Sequence, residues 1–168
     1  MAKEVYILKK LDSMEDQQFV FGSVIVVANR IDTLLERELK EFDITAKQWF
    51  LSIIVDNLFS EPPTIKQAAK EMGSSHQNVK QVALKLEQKG LMVLQKDKKD
   101  ARATRLKMTD ESYKFWATTQ SKGLAFNQAL FKDIEKEDMS KARKVIEQML
   151  DNLTQMENTQ KDNDGRDD

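Results

Sequence analysis

Apolar residues recur along this chain with two different periods, and the change of period marks its organisation. Val20, Val24, Val27, Ala28, Ile31, Leu34 and Leu35 hold a helical spacing over several turns. Ahead of them, Ser13-Met14-Glu15-Asp16 reads as a capping box with Asp in place of Glu. The β-branched run Val24 to Val27 favours a strand by propensity alone, but the length of the periodic pattern decides for one long helix. A short apolar patch, Val5 to Leu8, takes no assignment. Thr45 then caps a helix carrying Trp49, Phe50, Ile53, Ile54 and Leu58, with Trp49 read as a core residue.

Pro62 and Pro63 break the pattern, and Thr64 caps a short amphipathic segment with Ile65, Ala68, Ala69 and Met72 on one side. Gly73 stops it, because glycine accepts the left-handed backbone that a helix end needs. Ser75 caps a second helix, on which Val79, Val82, Ala83 and Leu86 fall at i, i+3, i+4 and i+7, and Gly90 ends it. The period then shortens. Leu91 to Gln95 reads as a strand, Lys96 to Arg102 as a charged turn, and Ala103 to Met108 as a returning strand. Two short helices around a glycine turn, followed at once by a charged hairpin, make a winged helix-turn-helix. Thr109 is placed to cap the next helix, with Asp110 and Glu111 in its first turn.

That helix is expected from Asp110 to about Lys132, and Gly123 would bend or weaken it. From Met139 to Met156 another carries Ala142, Val145, Ile146, Met149, Leu150, Leu153 and Met156, a stripe wide enough to need a partner. The fold class is therefore mainly α, with a small β-hairpin wing on a winged helix-turn-helix core. Residues 1–43 form an N-terminal segment and long helix, 44–109 the winged domain, and 110–157 the C-terminal helices. Residues 158–168 read as a disordered acidic tail. A winged helix needs neither the first long helix nor the last two, and terminal helices with an unspent apolar stripe point to a two-fold homodimer.

These residues resemble a family, the MarR transcriptional regulators. The match runs through Ile44 to Trp49, Ala68-Ala69, Gly73, and Val79 to Gly90-Leu91. It is most specific in Asp97-x-x-Asp100-x-Arg102-Ala103 leading to Met108-Thr109. It extends from about Phe19 to about Met156. Ala101 departs from the pattern where many members carry a further Arg, and Leu84 sits on a face that is usually polar. The resemblance implies a repressor that dimerises through helices from both chain ends; Val145, Ile146, Met149, Leu150 and Leu153 are the expected dimer contacts. It also implies that Arg102 enters the minor groove, with Asp100 orienting it.

Charge changes the picture only through its distribution. The net charge is −1, but eleven Lys or Arg stand against four acids between Thr64 and Lys107, so that stretch carries +7 and the remainder −8. Such segregation is the footprint of an electropositive face on a neutral protein. With the apolar stripe of the second helix turned inward, His76, Gln77, Asn78, Lys80 and Gln81 face outward. Residues at that place reach base edges in the major groove, and Asn78, Gln77 and Gln81 suit adenine. Ser75 and the first N–H groups suit a phosphate. Lys98, Lys99 and Arg105 add cations on the hairpin. The expected partner is double-stranded DNA bearing an inverted repeat.

Other classes are excluded or left open. There is no Cys and one His, His76; no thiol redox sensor, disulfide or His-built metal site is expected, and no cofactor. No nucleotide-binding or nucleophile motif is present, so an enzyme is not expected. No apolar run approaches the ~20 residues of a bilayer span, and the N-terminus lacks a signal-peptide core; no membrane partner and a cytoplasmic location follow as expectations. A small-molecule effector stays open. The resemblance implies a pocket between the dimer helices and the winged domain, with Phe115, Trp116 and the Met-rich helices as candidate lining. The competing reading is a winged helix that binds protein and has lost specific DNA binding.

Overall fold

The computed structural model describes residues 14–164. Its elements run α1 (Asp16–Leu39), a 3-10 turn (Lys40–Phe42), α2 (Ala46–Asn57), α3 (Ile65–Glu71), α4 (His76–Gln88), β1 (Met92–Lys96), β2 (Thr104–Met108), α5 (Asp110–Leu130) and α6 (Lys136–Asp164). The fold is mainly α, with one two-stranded sheet. The chain divides into two compact units, Met1–Leu124 and Ala125–Asp168.

Local chemistry sets most boundaries in the first unit. Thr45 and Thr64 each accept a hydrogen bond from the backbone N–H three residues on, while the Gln at that position reaches back to the cap residue's own N–H. Both are full capping boxes. Ser75 accepts from the Asn78 N–H at 3.2 Å and so starts α4. Gly73 and Gly90 follow α3 and α4 at φ +57° and +71°, the left-handed region where a side chain would be strained. Thr109 accepts from the Ser112 N–H at 3.0 Å and donates to the Gly90 carbonyl at 2.8 Å, so one hydroxyl caps α5 and closes the end of α4.

The core is built where these elements meet. Leu51 and Val55 of α2, Ile65, Ala68 and Ala69 of α3, and Val79, Val82, Ala83 and Leu86 of α4 are buried together with Leu91, Met92, Leu106 and Met108. The strands pair antiparallel, Met92 opposite Met108 and Leu94 opposite Leu106. The strand period places Leu106 and Met108 inward and Lys107 outward. The Leu106 N–H also donates to the Pro63 carbonyl at 2.8 Å, which ties the hairpin to the segment before α3. At the other edge, the Glu36 carboxylate accepts the Ala46 N–H at 2.6 Å and joins the end of α1 to the start of α2.

Several boundaries differ from the sequence reading. Ser13 and the patch at Val5 to Leu8 lie outside the described residues. Glu15 occupies the N-cap of α1, without a side-chain cap bond. The last helix starts earlier and runs on to Asp164, so residues 158–164 are helical and not a disordered tail. No Gly or Pro interrupts the chain between Gly123 and Gly165, and the Thr159 hydroxyl donates back to the Gln155 carbonyl at 3.0 Å. α5 continues through Gly123 to Leu130, close to its expected end at about Lys132. No unbroken apolar run of bilayer-spanning length is present among the described residues, but one helix reaches that length once two charged positions are allowed. Asp16–Phe42 is long and apolar enough to cross a membrane by length and composition, with mean hydropathy 1.3 in its most apolar window. Arg30 and Asp32 interrupt the run, which is why a search for unbroken apolar sequence passes over it.

Two surfaces carry unusual apolar exposure. On α1, Phe21, Ile25, Val26 and Val27 are exposed; on α6 of the second unit, so are Val145, Ile146, Leu150 and Leu153, while Met149 is half-buried.

Candidate nucleic-acid interface

α4 presents its polar front to solvent because its apolar stripe is consumed by the core. Ser75, His76, Gln77, Asn78, Lys80 and Gln81 are all exposed. Four of them line two grooves, His76 and Lys80 the first and Asn78 and Gln81 the second, while Ser75 and Gln77 line neither. The first, about 490 Å³, lies between the starts of α3 and α4 and the hairpin, and is lined by Lys66, His76, Lys80, Lys96, Asp100 and Arg102 among others. It sets four permanent cations against one carboxylate. Lys96 belongs to the charged hairpin turn read from sequence, whereas Lys66 gives no local signal beyond being a cation near the Thr64 cap. The second groove, about 710 Å³, is lined by Asn78, Gln81 and Lys85 of α4, and by Arg37, Lys40 and Lys47 from the α1–α2 region together with Asp32 and Glu36. Those α1 and α2 cations also escaped the sequence reading, since only the fold brings them to α4.

Asn78 is not idle. Its Nδ2 donates to the Ser74 hydroxyl at 2.8 Å, which orients the amide.

The hairpin has an internal brace. Asp97 is buried although charged, with its side chain 6% exposed. One carboxylate oxygen accepts the Lys99 and Asp100 N–H groups at 2.7 and 2.8 Å. The other accepts from the Arg105 guanidinium. These bonds, the Asp100 N–H first and then Arg105 and the Lys99 N–H, hold its carboxyl down at about 2. Arg105 reaches on to donate to the Pro62 carbonyl at 2.6 Å. Its Nε and one Nη therefore face the protein, unlike the free surface cation expected from sequence. Asp97 was part of the recognised motif without an assigned role.

Asp100 accepts the Arg102 backbone N–H at 2.9 Å, an Asx-type turn. It therefore shapes the chain at Arg102 through the wing backbone, and no bond from Asp100 to the Arg102 guanidinium is present. Arg102, Lys98 and Lys99 project freely at the hairpin tip.

A third feature lies away from this face. A cavity of about 420 Å³ opens between α2, the end of β2 and α5 within the first unit, lined by Trp49, Ile53, Asp56, Met108, Tyr113 and Trp116 among others. Trp49 is half-buried and packs on the core as expected, but it also lines this cavity. Phe115 does not. It sits edge-on between Phe42, 6.5 Å away, and Trp116, 4.8 Å away. The Trp116 Nε1–H is buried with no hydrogen-bond partner among the described residues.

The arrangement of helices and hairpin can be compared with solved structures. A regulator from Methanosarcina mazei Go1, described as a MarR transcriptional regulator, superposes at TM-score 0.71 with 15% identity, covering 83% of this chain and 99% of its own. The fold is that of the MarR regulators. No family model and no curated protein matches the sequence. The S. aureus MepR–DNA complex matches this MarR-type fold at TM-score 0.69 and 19% identity, over 83% of this chain and 99% of that one. CouR from Rhodococcus jostii RHA1, bound to p-coumaroyl-CoA, matches at 0.67 and 16%, over 83% and 93%.

Proposed function

We propose that this protein is a sequence-specific DNA-binding transcriptional regulator of the MarR type. The observation that carries the reading is the first groove, where the exposed start of α4 and the cationic hairpin border one trough with Lys66, Lys80, Lys96 and Arg102 along it. A trough so lined suits the duplex backbone, with α4 in the major groove and Arg102 drawn to the negative potential of a narrow minor groove. The MepR neighbour, solved on DNA, supports it. His76, Gln77, Asn78, Lys80 and Gln81 read or clamp the major groove, Ser75 meets a phosphate, and Lys98 and Lys99 add phosphate contacts.

The active species is a homodimer joined through the exposed apolar helices, with Val145, Ile146, Met149, Leu150 and Leu153 in the contact. It places two copies of α4 in successive major grooves about 34–36 Å apart, on an inverted-repeat operator. It works in the cytoplasm as a repressor and is not an enzyme. A small molecule held in the α2–α5 cavity releases it; the ligand-bound CouR neighbour supports that part.

The test is selection from random duplex DNA with the purified protein, run beside Arg102→Ala. Enrichment of an inverted repeat with half-sites one helical turn apart is the expected result. Weak, sequence-blind binding that vanishes with salt would instead favour the protein-binding winged helix.

A further inference from the structure

We propose that the α2–α5 cavity takes a lipophilic organic cation, an aromatic molecule of a single positive charge. This rests on the reading above that the cavity holds an effector, and it names the effector's charge. The volume, about 420 Å³, lies in the range of small-molecule sites.

The lining decides the sign. The residues that line the cavity include no Lys, Arg or His and one carboxylate, Asp56. An anionic ligand would leave water for a site that offers its charge no cation and repels it with Asp56. A cation meets the opposite situation. Asp56 is oriented by the Tyr113 hydroxyl, which donates to its Oδ1 at 2.9 Å, so its second oxygen is left to face a ligand. Next to it, the adjoining surface pocket adds Glu61 and Asp110 against the single cation Lys107, so the field at this mouth is negative.

The aromatic groups supply the rest. Both tryptophans of the chain line this one cavity, with Tyr113 beside them. Indole faces attract a cation through the ring quadrupole, Trp most strongly. Because the Trp116 Nε1–H is shut off from solvent, the indole offers the cavity its carbon surface and not a donor that a cation would avoid. Ile53, Met108 and Leu124 give apolar area for the ligand's hydrocarbon.

The test uses the full-length protein, tetraphenylphosphonium, and its isosteric anion tetraphenylborate. Quenching of intrinsic tryptophan fluorescence reports on this cavity, since no tryptophan lies elsewhere. Saturable quenching by the phosphonium, about tenfold or more tighter than by the borate, is expected from the cation–π and ion-pair contributions combined. Asp56→Asn should weaken the phosphonium about three- to fivefold, as for an exposed ion pair, and Asp56→Lys should narrow or reverse the preference between the two ions. Asp56 is exposed, so both variants should melt like the parent. Equal binding of the two ions, or a preference that neither substitution moves, overturns the proposal. Duplex binding is followed separately by anisotropy. DNA binding without cation binding defeats the cation alone, whereas cation binding without DNA binding supports the cavity's charge preference and defeats the regulator.

Discussion

Asp97 and Arg105 face one another across the base of the hairpin, and the guanidinium bridges from the Asp97 carboxylate to the Pro62 carbonyl. The pair links β2, the hairpin turn and the segment ahead of α3, and so fixes the cationic tip relative to α4. A residue that holds the hairpin from within and a residue that contacts phosphate both weaken DNA binding when removed. Salt separates them. Losing one phosphate contact lowers the slope of log affinity against log salt by about 1. Arg102→Ala should show that drop. Arg105→Ala should weaken binding with a slope close to the parent's, and a slope reduced by a full unit would return Arg105 to the phosphate contacts.

The same brace predicts a pH profile. The Asp97 carboxyl titrates at about 2 in the folded chain, below its ordinary 3.8, chiefly because the Asp100 N–H, the Arg105 side chain and the Lys99 N–H bond to its charged form. A depressed carboxyl binds fewer protons folded than unfolded, so its contribution is complete above the unfolded value and is lost as pH falls from about 3.8 through 2. Between neutral pH and pH 5 the hairpin should not respond to Asp97. NMR titration of the Asp97 carboxyl carbon is the check, and a midpoint at an ordinary value would show that the brace is not formed in solution.

The contrast between Thr109 and Arg105 shows what was legible in the sequence. Thr109, like Thr45, Thr64 and Ser75, acts on a backbone N–H three residues away, so its role is written locally. The glycines at helix ends and the strand alternation are local in the same sense. Arg105 depends on strand register, which sets it opposite Gln95 and within reach of Asp97 and Pro62; a lysine- and arginine-rich run reads as one surface until that register is known. The cavity is further from the sequence still. Trp49 and Trp116 stand far apart in the chain, and only the packing of α2 against α5 shows that two core-like tryptophans share an opening. The helical end at Asp164 was illegible for another reason: a polar, acidic run has the composition of disorder, although nothing in it breaks a helix.

Thr109 also yields a stability prediction. Its hydroxyl caps α5 and bonds the Gly90 carbonyl, so Thr109→Ala removes a cap and a hydrogen bond between two elements. A cost of about 1–2 kcal/mol is expected in urea unfolding. Thr109→Ser keeps the hydroxyl and should recover most of it. Equal losses in the two variants would mean that the threonine methyl, and not the hydroxyl, supplies the stability.

The exposed stripe on α6 makes the assembly testable. Leu150 and Leu153 are 59% and 52% exposed in the single chain, and glutamate there costs little unless a partner covers them. Leu150→Glu with Leu153→Glu should convert a dimer to a monomer in sedimentation velocity while far-UV circular dichroism stays helical. An unchanged sedimentation coefficient would remove α6 from the dimer contact.

Asn78 offers the sharpest test of base reading. Its Nδ2 donates to Ser74 at 2.8 Å, so the side chain is held in place before any duplex arrives. Bidentate recognition of adenine uses both the amide N–H and the carbonyl oxygen, and the second Nδ2 hydrogen remains for the base. Asn78→Ala should therefore cost about 1–3 kcal/mol at one base position and little at others. Ser74→Ala should cost less at the same position, because it frees the amide to rotate without removing it. Anisotropy on operators altered one base pair at a time measures both. Equal losses for Asn78→Ala on cognate and scrambled duplexes would reduce Asn78 to a polar surface residue and shift the reading of sequence to its neighbours Gln77 and Gln81.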